Sequence, residues 1–301
     1  MSRIQCMFIV LRSVKSLCHI SSFQRFRKMS AEELRLPWEL ISYIVYHIPV
    51  TDTPTILSLC FVSRAMYTEG AKLLYHTISS AEDSWSKKYP LTRLLAHNPK
   101  ISRLVNTYTT YGIYHTTFQP ESSPWGLTTK ALTLMVSLQH LWFRSSSMAS
   151  NTETIFSDVS FQLETLHWSG DTLGLIALLK TQKDIKAIHL ETLVPVNGLP
   201  DHRVPGCPSL ISIAGNLRNV LVFLDPDVRP PNLHHVRYIP SAMDLRFLND
   251  DSNYQRMKIA FKTVTHLMLG GSVFTDVTRF GDIFSAITCL ELYVPMFDVS
   301  G

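Results

Sequence analysis

Twelve histidines and five cysteines are the residues of this chain whose chemistry could act on a metal or a substrate. Their spacing argues against both. His234 and His235 are neighbours, and on a strand adjacent side chains point to opposite faces, so the pair cannot share one ion. His140, His167, His189 and His266 fall inside strand-like patterns, beside the inward apolar residues, and read as solvent-facing positions. Cys6, Cys18, Cys60, Cys207 and Cys289 form no C-x-x-C pair. Neither a zinc site nor a disulfide framework is indicated, and a reducing compartment fits. No H-E-x-x-H, Walker loop, G-x-G-x-x-G or G-x-S-x-G occurs. Gly270-Gly271-Ser272 reads as a turn after a strand. No catalytic residue, metal or cofactor is expected.

What the chain does offer is apolar docking chemistry. Leu36-Pro37-Trp38-Glu39-Leu40 opens a helix over Leu36–His47. Leu40, Ile41, Ile44, Val45 and Ile48 recur at three- and four-residue spacing, which aligns them on one face. Pro37 suits the first helical turn and Pro49 stops the helix. Thr53-Pro54 begins a second short helix, with Thr53 able to cap it and Ile56, Leu57, Leu59, Cys60 and Phe61 making it apolar on most sides. A third runs from about Ala65 to Tyr75, with Met66, Ala71, Leu74 and Tyr75 on its buried side. Three short helices bury little area alone. Their apolar positions outnumber what such a cluster can hide, so the module needs a partner or a neighbouring domain.

Further on the rhythm changes. Leu138-x-x-Leu141-x-Phe143 is followed by Leu163-x-x-Leu166-x-Trp168, Ile185-x-x-Ile188-x-Leu190, Leu233-x-x-Val236-x-Tyr238, Val264-x-x-Leu267-x-Leu269 and Ile287-x-x-Leu290-x-Leu292. A weaker member is Leu210-x-x-Ile213, and Ile101-x-x-Leu104 reads as the first. From Leu138 onward the first positions are 25, 22, 25, 23, 31 and 23 residues apart. Most of these fall within the roughly 20–29 residues of leucine-rich repeats. The paired apolar residues point the same way from a short strand, and parallel stacking buries them in one continuous core. Trp168 and Tyr238 take core positions; Trp142 and Tyr293 are one residue out of phase and point the other way. Asp171–Lys180 and Gln255–Thr263 read as connecting helices, with Asp171 placed as a cap. No asparagine ladder follows the strands.

Composition bounds the rest. Hydrophobic residues make up 46% of the 301, which supports a buried core, and a net charge of +4 is too weak to imply nucleic acid. No apolar run reaches the roughly 18–20 residues of a membrane span. Residues 1–28 carry Arg and Ser but no acid. They read as a disordered basic segment or an upstream extension, with a mitochondrial transit peptide as the alternative. Near the other end Met296, Phe297 and Val299 are apolar where a repeat array needs a polar cap. The reading is a truncated array, with a folded-back tail as the alternative. The expected organisation is a basic N-terminal segment over 1–30, a helical module over 31–78 and a degenerate repeat domain over 79–301.

The segment Leu36-Pro37-Trp38-Glu39-Leu40-Ile41-x-x-Ile44-Val45-x-x-Ile48, continued by Ile56, Leu57, Leu59 and Val62-Ser63-Arg64, resembles an F-box over residues 34–75. With the repeat rhythm, the chain resembles the fungal, basidiomycete-type F-box proteins that carry degenerate leucine-rich repeats. The resemblance implies an α/β chain: a small three-helix F-box module followed by a leucine-rich-repeat-like solenoid with short parallel strands. It implies a non-catalytic substrate receptor of an SCF-type ubiquitin ligase, cytoplasmic or nuclear. The module would dock on a Skp-type adaptor joined to the cullin scaffold, and the repeats would hold an unknown protein target. Carried over by position, Leu36, Pro37, Leu40, Ile41, Ile44, Ile48, Val62 and Arg64 would bind the adaptor. Met66 stands where an aromatic is frequent in the family, and Ser63 where a cysteine is. A repeat scaffold that binds protein without any ligase is the alternative. No nucleic acid, membrane or cofactor partner is implied.

Overall fold

The computed structural model describes residues 37–79, 85–113, 123–145, 152–194, 207–224, 230–238, 251–270 and 283–293. Among these residues three helices come first: α1 Trp38–Tyr46, α2 Thr53–Cys60 and α3 Arg64–His76. Local chemistry sets their ends. Pro37 is the residue before α1 rather than its first turn, and its carbonyl accepts the N–H groups of Leu40 and Ile41 at 3.0 and 3.2 Å. The cap of α2 is Asp52, not Thr53: its carboxylate accepts the Thr55 N–H at 3.3 Å, which leaves Thr53 and Pro54 in the first turn. Ser63 caps α3 by accepting the Met66 N–H at 3.2 Å. α3 packs against both α1 and α2, and Ile41, Val45 and Met66 close a small core with Leu59 and Leu73.

Among the described residues nine parallel strands follow in one sheet, and their spatial order is their sequence order. They are β1 Thr77–Ser79, β2 Thr107–Ile113, β3 His140–Ser145, β4 Thr165–Asp171, β5 Ala187–Val194, β6 Ser212–Gly215, β7 His235–Tyr238, β8 His266–Gly270 and β9 Cys289–Tyr293. α3 runs directly into β1, so the sheet begins inside the helical module as bounded at residue 78. Between strands lie α4 Trp85–His97, α5 Pro99–Ser102, α6 Pro124–Leu134, α7 Thr152–Ile155, α8 Thr172–Leu179, α9 Leu217–Leu224 and α10 Asp251–Phe261. Asp171 caps α8, its carboxylate accepting the Gly174 N–H at 2.7 Å.

The register aligns the repeats residue by residue. Ile78, Tyr108, Leu141, Leu166, Ile188, Ile213, Val236, Leu267 and Leu290 form one inward row across all nine strands. A second inward row holds Thr110, Phe143, Trp168, Leu190, Gly215, Tyr238 and Leu269, with Leu292 in register beside Leu269. From Ile78 to Leu267 in the first row, and at Phe143, Trp168, Leu190, Tyr238 and Leu269 in the second, they pack with residues of the connecting helices in one continuous core. Trp168 and Tyr238 are buried within it, as their repeat position requires. The Trp168 indole N–H donates to the Asp171 carbonyl at 3.2 Å. Leu290, on the last strand, is 53% exposed.

Two members of the pattern differ from the expectation. Ile101 lies in α5 and Leu104 in the turn after it, so that pair does not open the array. The register instead selects Val105-x-x-Tyr108-x-Thr110. Tyr108 is buried, and its hydroxyl hydrogen-bonds with those of Thr110 and Thr92, so a polar pair fits an apolar row. In the weak sixth strand Gly215 takes the second inward position. A Cβ there would lie 2.9 Å from the Leu190 carbonyl oxygen, so β5 and β6 approach too closely for a side chain.

A repeated backbone contact locks the strand starts together. The Asn106 carbonyl accepts the N–H groups of both Gln139 and His140, and the Gln139 carbonyl those of Glu164 and Thr165. Glu164, Lys186, Ile211, His234 and Thr265 each do the same for the strand that follows. A backbone ladder thus stands at the strand starts; beside it the Asn106 side-chain amide donates to the Gln139 side-chain Oε1 at 2.7 Å, and the Thr288 hydroxyl donates to the Thr265 carbonyl at 3.2 Å.

Candidate functional site

Two surfaces of the fold remain uncovered among the described residues. The first is α1. Of its nine residues only Ile41 and Val45 are buried. Leu40 and Ile44, one turn apart on one flank, are 48% and 42% exposed. The single apolar face read from the sequence is therefore divided. Ile41 and Val45 turn into the small core, Leu40 and Ile44 turn outward, and Ile48 lies half-buried just past the helix end. Three helices provide neighbours for two of these positions, not five. Val62 is 68% exposed and Arg64 is exposed at the start of α3, where Ser63 holds the turn between them. Pro37 is exposed; Leu36 lies outside the described residues.

The other flank of α1 lies outside the aliphatic stripe read from the sequence. Trp38, Tyr43 and Tyr46 project from it, and with Val50, Leu73 and Lys72 they border a groove of about 740 Å³. Their signal was present as aromatics on a second flank of the same helix, but a template that follows one aliphatic stripe passes over them. Among the described residues, α1 is thus apolar nearly all round, which for a stable helix means it is meant to be covered.

The second surface is the face of the sheet that no connecting helix covers. Its residues come from the positions between the inward rows. One outward row reads Trp142, His167, His189, Ala214, Arg237, Met268 and Glu291 from β3 to β9. The other reads His140, Thr165, Ala187, Ser212, His235, His266 and Cys289. The histidines are on the expected face but are half-buried, because they stack on one another. Trp142 and His167 lie with ring centroids 3.7 Å apart, His167 and His189 at 4.9 Å, and His235 and His266 at 4.2 Å. Strands spaced about 4.8 Å apart place rings in one row at stacking distance. Tyr293 ends β9 opposite Gly270.

The His167 imidazole is pushed down from 6.5 to about 4, first by burial and then by the charges of His189 and Arg237. Its Nδ1 is buried with no hydrogen-bond partner among the described residues. His189 is lowered chiefly by burial, against the pull of Glu191. His235 is lowered chiefly by burial, then by His266 and His234, against Glu291. His140 instead meets the Thr165 hydroxyl at 2.7 Å.

His234 and His235 correct the strict alternation argument. Their rings meet at 4.5 Å, because His234 precedes β7 and does not follow the strand's pleat. Among the described residues no group of three or more His, Cys, Asp or Glu side chains could hold a metal ion. No helix among them is long and apolar enough to cross a membrane. Cys207 is buried, and burial raises its thiol to about 11, so it packs as a small hydrophobe. Compared with known proteins, the chain matches no family model and no curated protein.

Proposed function

We propose that this protein is a non-catalytic substrate-recognition adaptor of an SCF-type ubiquitin ligase. Its first three helices are read as an F-box that docks on the Skp-type adaptor and through it on the cullin scaffold. Its sheet is read as a degenerate leucine-rich-repeat-like solenoid whose open face holds the target protein. The observation that carries the reading is the exposure of α1: Trp38, Leu40, Tyr43, Ile44 and Tyr46 stand in solvent while two residues hold the helix to its neighbours. Apolar anchors presented on a rigid helix, with Glu39 and Arg64 near them, are what a buried interface core with a polar rim requires. The sequential parallel order of the strands supports the repeat reading.

Co-purification of the full chain with a Skp-type adaptor tests this. Capture of the adaptor, lost when Leu40→Asp and Ile44→Asp are combined, supports the reading. A folded chain that never captures the adaptor, yet forms stable complexes through its sheet face, moves the assignment to a protein-binding scaffold outside ubiquitination.

A further inference from the structure

At β7 to β9 the open face sinks into a hollow of about 270 Å³. His235, Arg237, His266, Met268, Cys289 and Glu291 surround it. At ~30 Å³ per water it holds roughly nine waters, below the ~300–1,000 Å³ of small-molecule sites. That is space for one long side chain, not for a cofactor.

The walls define which side chain. His235 and His266 are in register, and their rings are stacked at 4.2 Å with planes 13° apart, forming a flat double wall. Burial lowers the His235 imidazole from its ordinary value, which favours the neutral ring whose π-face can meet a cation. Met268 adds a polarizable thioether. Glu291, on the last strand, is exposed and makes no ion pair or hydrogen bond through its carboxylate with another described residue. It lies near enough to pull the His235 imidazole upward. Arg237 also borders the hollow, and its charge lowers the His189 and His167 imidazoles.

We infer that this hollow receives an arginine side chain of a bound polypeptide, its guanidinium lying along the His235–His266 wall and its fork meeting Glu291. The inference rests on the proposed assignment of the open face to the target. Arginine fits where lysine fits poorly. A guanidinium is planar, stacks on rings, pairs with a carboxylate through two parallel N–H donors and is weakly hydrated, so it loses less on entering a half-enclosed site. An acidic side chain would face Glu291, and an apolar one would form no hydrogen bond with that carboxylate.

The test is a titration of the full chain, with ¹³C-labelled histidine rings, by N-acetyl-arginine amide, N-acetyl-lysine amide and N-acetyl-glutamate amide. The expected result is saturable shifts of the His235 and His266 rings with the arginine probe, and binding at least about fivefold weaker for the lysine probe, which keeps the charge but lacks the planar stacking group and the second parallel N–H donor. Glu291→Gln lowers arginine affinity by about the same factor, with the circular dichroism spectrum unchanged. Tighter binding of the glutamate probe, arginine affinity unmoved by Glu291→Gln, or no saturation at all overturns the inference. Adaptor capture is measured on the same preparations. Arginine binding without capture upholds the hollow and removes the ligase reading; capture without arginine binding does the reverse.

Discussion

The indole of Trp142 lies nearly parallel to the imidazole of His167, with ring centroids 3.7 Å apart and planes 15° from each other. The contact removes water from one side of an imidazole that already has His189 on the other. Its folded-state value of about 4 lies below the ordinary 6.5 expected of the unfolded chain. Between those values the unfolded chain binds more protons than the folded one, so stability rises with pH in that window. The contribution is fully present above about 6.5 and is lost as pH falls toward about 4. His189 and His235 are shifted in the same direction and act the same way. Urea midpoints at pH 7 and pH 5 measure this. His167→Gln is expected to shrink the difference; an undiminished difference places the acid sensitivity elsewhere.

Ile41 and Ile44 separate folding from docking. Ile41 is 8% exposed in the small core and Ile44 is 42% exposed on the outer flank of the same helix. Ile41→Ala is expected to destabilise by about 2–4 kcal/mol, the cost of emptying a core position. Ile44→Ala is expected to change stability by less than about 0.5 kcal/mol, yet to weaken adaptor binding by about tenfold. Thermal melts read the first quantity and titration calorimetry the second. Equal losses of stability would show that Ile44 is a packing residue.

Gly70 allows α2 and α3 to touch. A Cβ at this position would lie 2.5 Å from the Cys60 Sγ. Alanine in a helix ordinarily gains up to about 1 kcal/mol over glycine. Here the overlap reverses the sign, and Gly70→Ala is expected to cost about 1–3 kcal/mol. Cys60→Ala removes the sulfur, so the double variant is expected to regain most of that loss in a denaturation cycle. Additive losses would mean the clash is relieved by another route.

Gln182 ties two successive repeats together. It is 2% exposed, its side-chain oxygen accepts the Leu163 N–H at 2.7 Å, and its amide donates to the Phe161 carbonyl at 3.2 Å. Gln182→Leu keeps the volume but takes the partner from a backbone donor and a backbone acceptor. The expected loss is about 2–3 kcal/mol in urea denaturation. A loss below about 1 kcal/mol would mean that water enters and takes over both contacts.

Much of this architecture was legible because it rests on periodic burial. The spacing from Leu138 to Ile287 gave the inward row, and proline and polar caps gave the helices near their observed positions. What escaped were places where neighbours decide. Tyr108 fits its core row because the hydroxyls of Thr110 and Thr92 hydrogen-bond with its own. β1 is three residues long, too short for a pattern. The division of Leu40 and Ile44 from Ile41 and Val45 depends on how much of α1 its two partner helices can reach. The stacking of histidines across strands is invisible along any one of them, since the rings that meet are more than twenty residues apart, as with His167 and His189.

The doubled acceptance at each strand start has a further consequence. Every such carbonyl serves only the next strand, and every strand pairs only with its immediate neighbours. A strand with its connecting segment could be duplicated or deleted during gene evolution while every remaining partner set is rebuilt unchanged at the junction. The width of the open face is then a heritable variable, adjustable one strand at a time, while the three helices before it stay as they are.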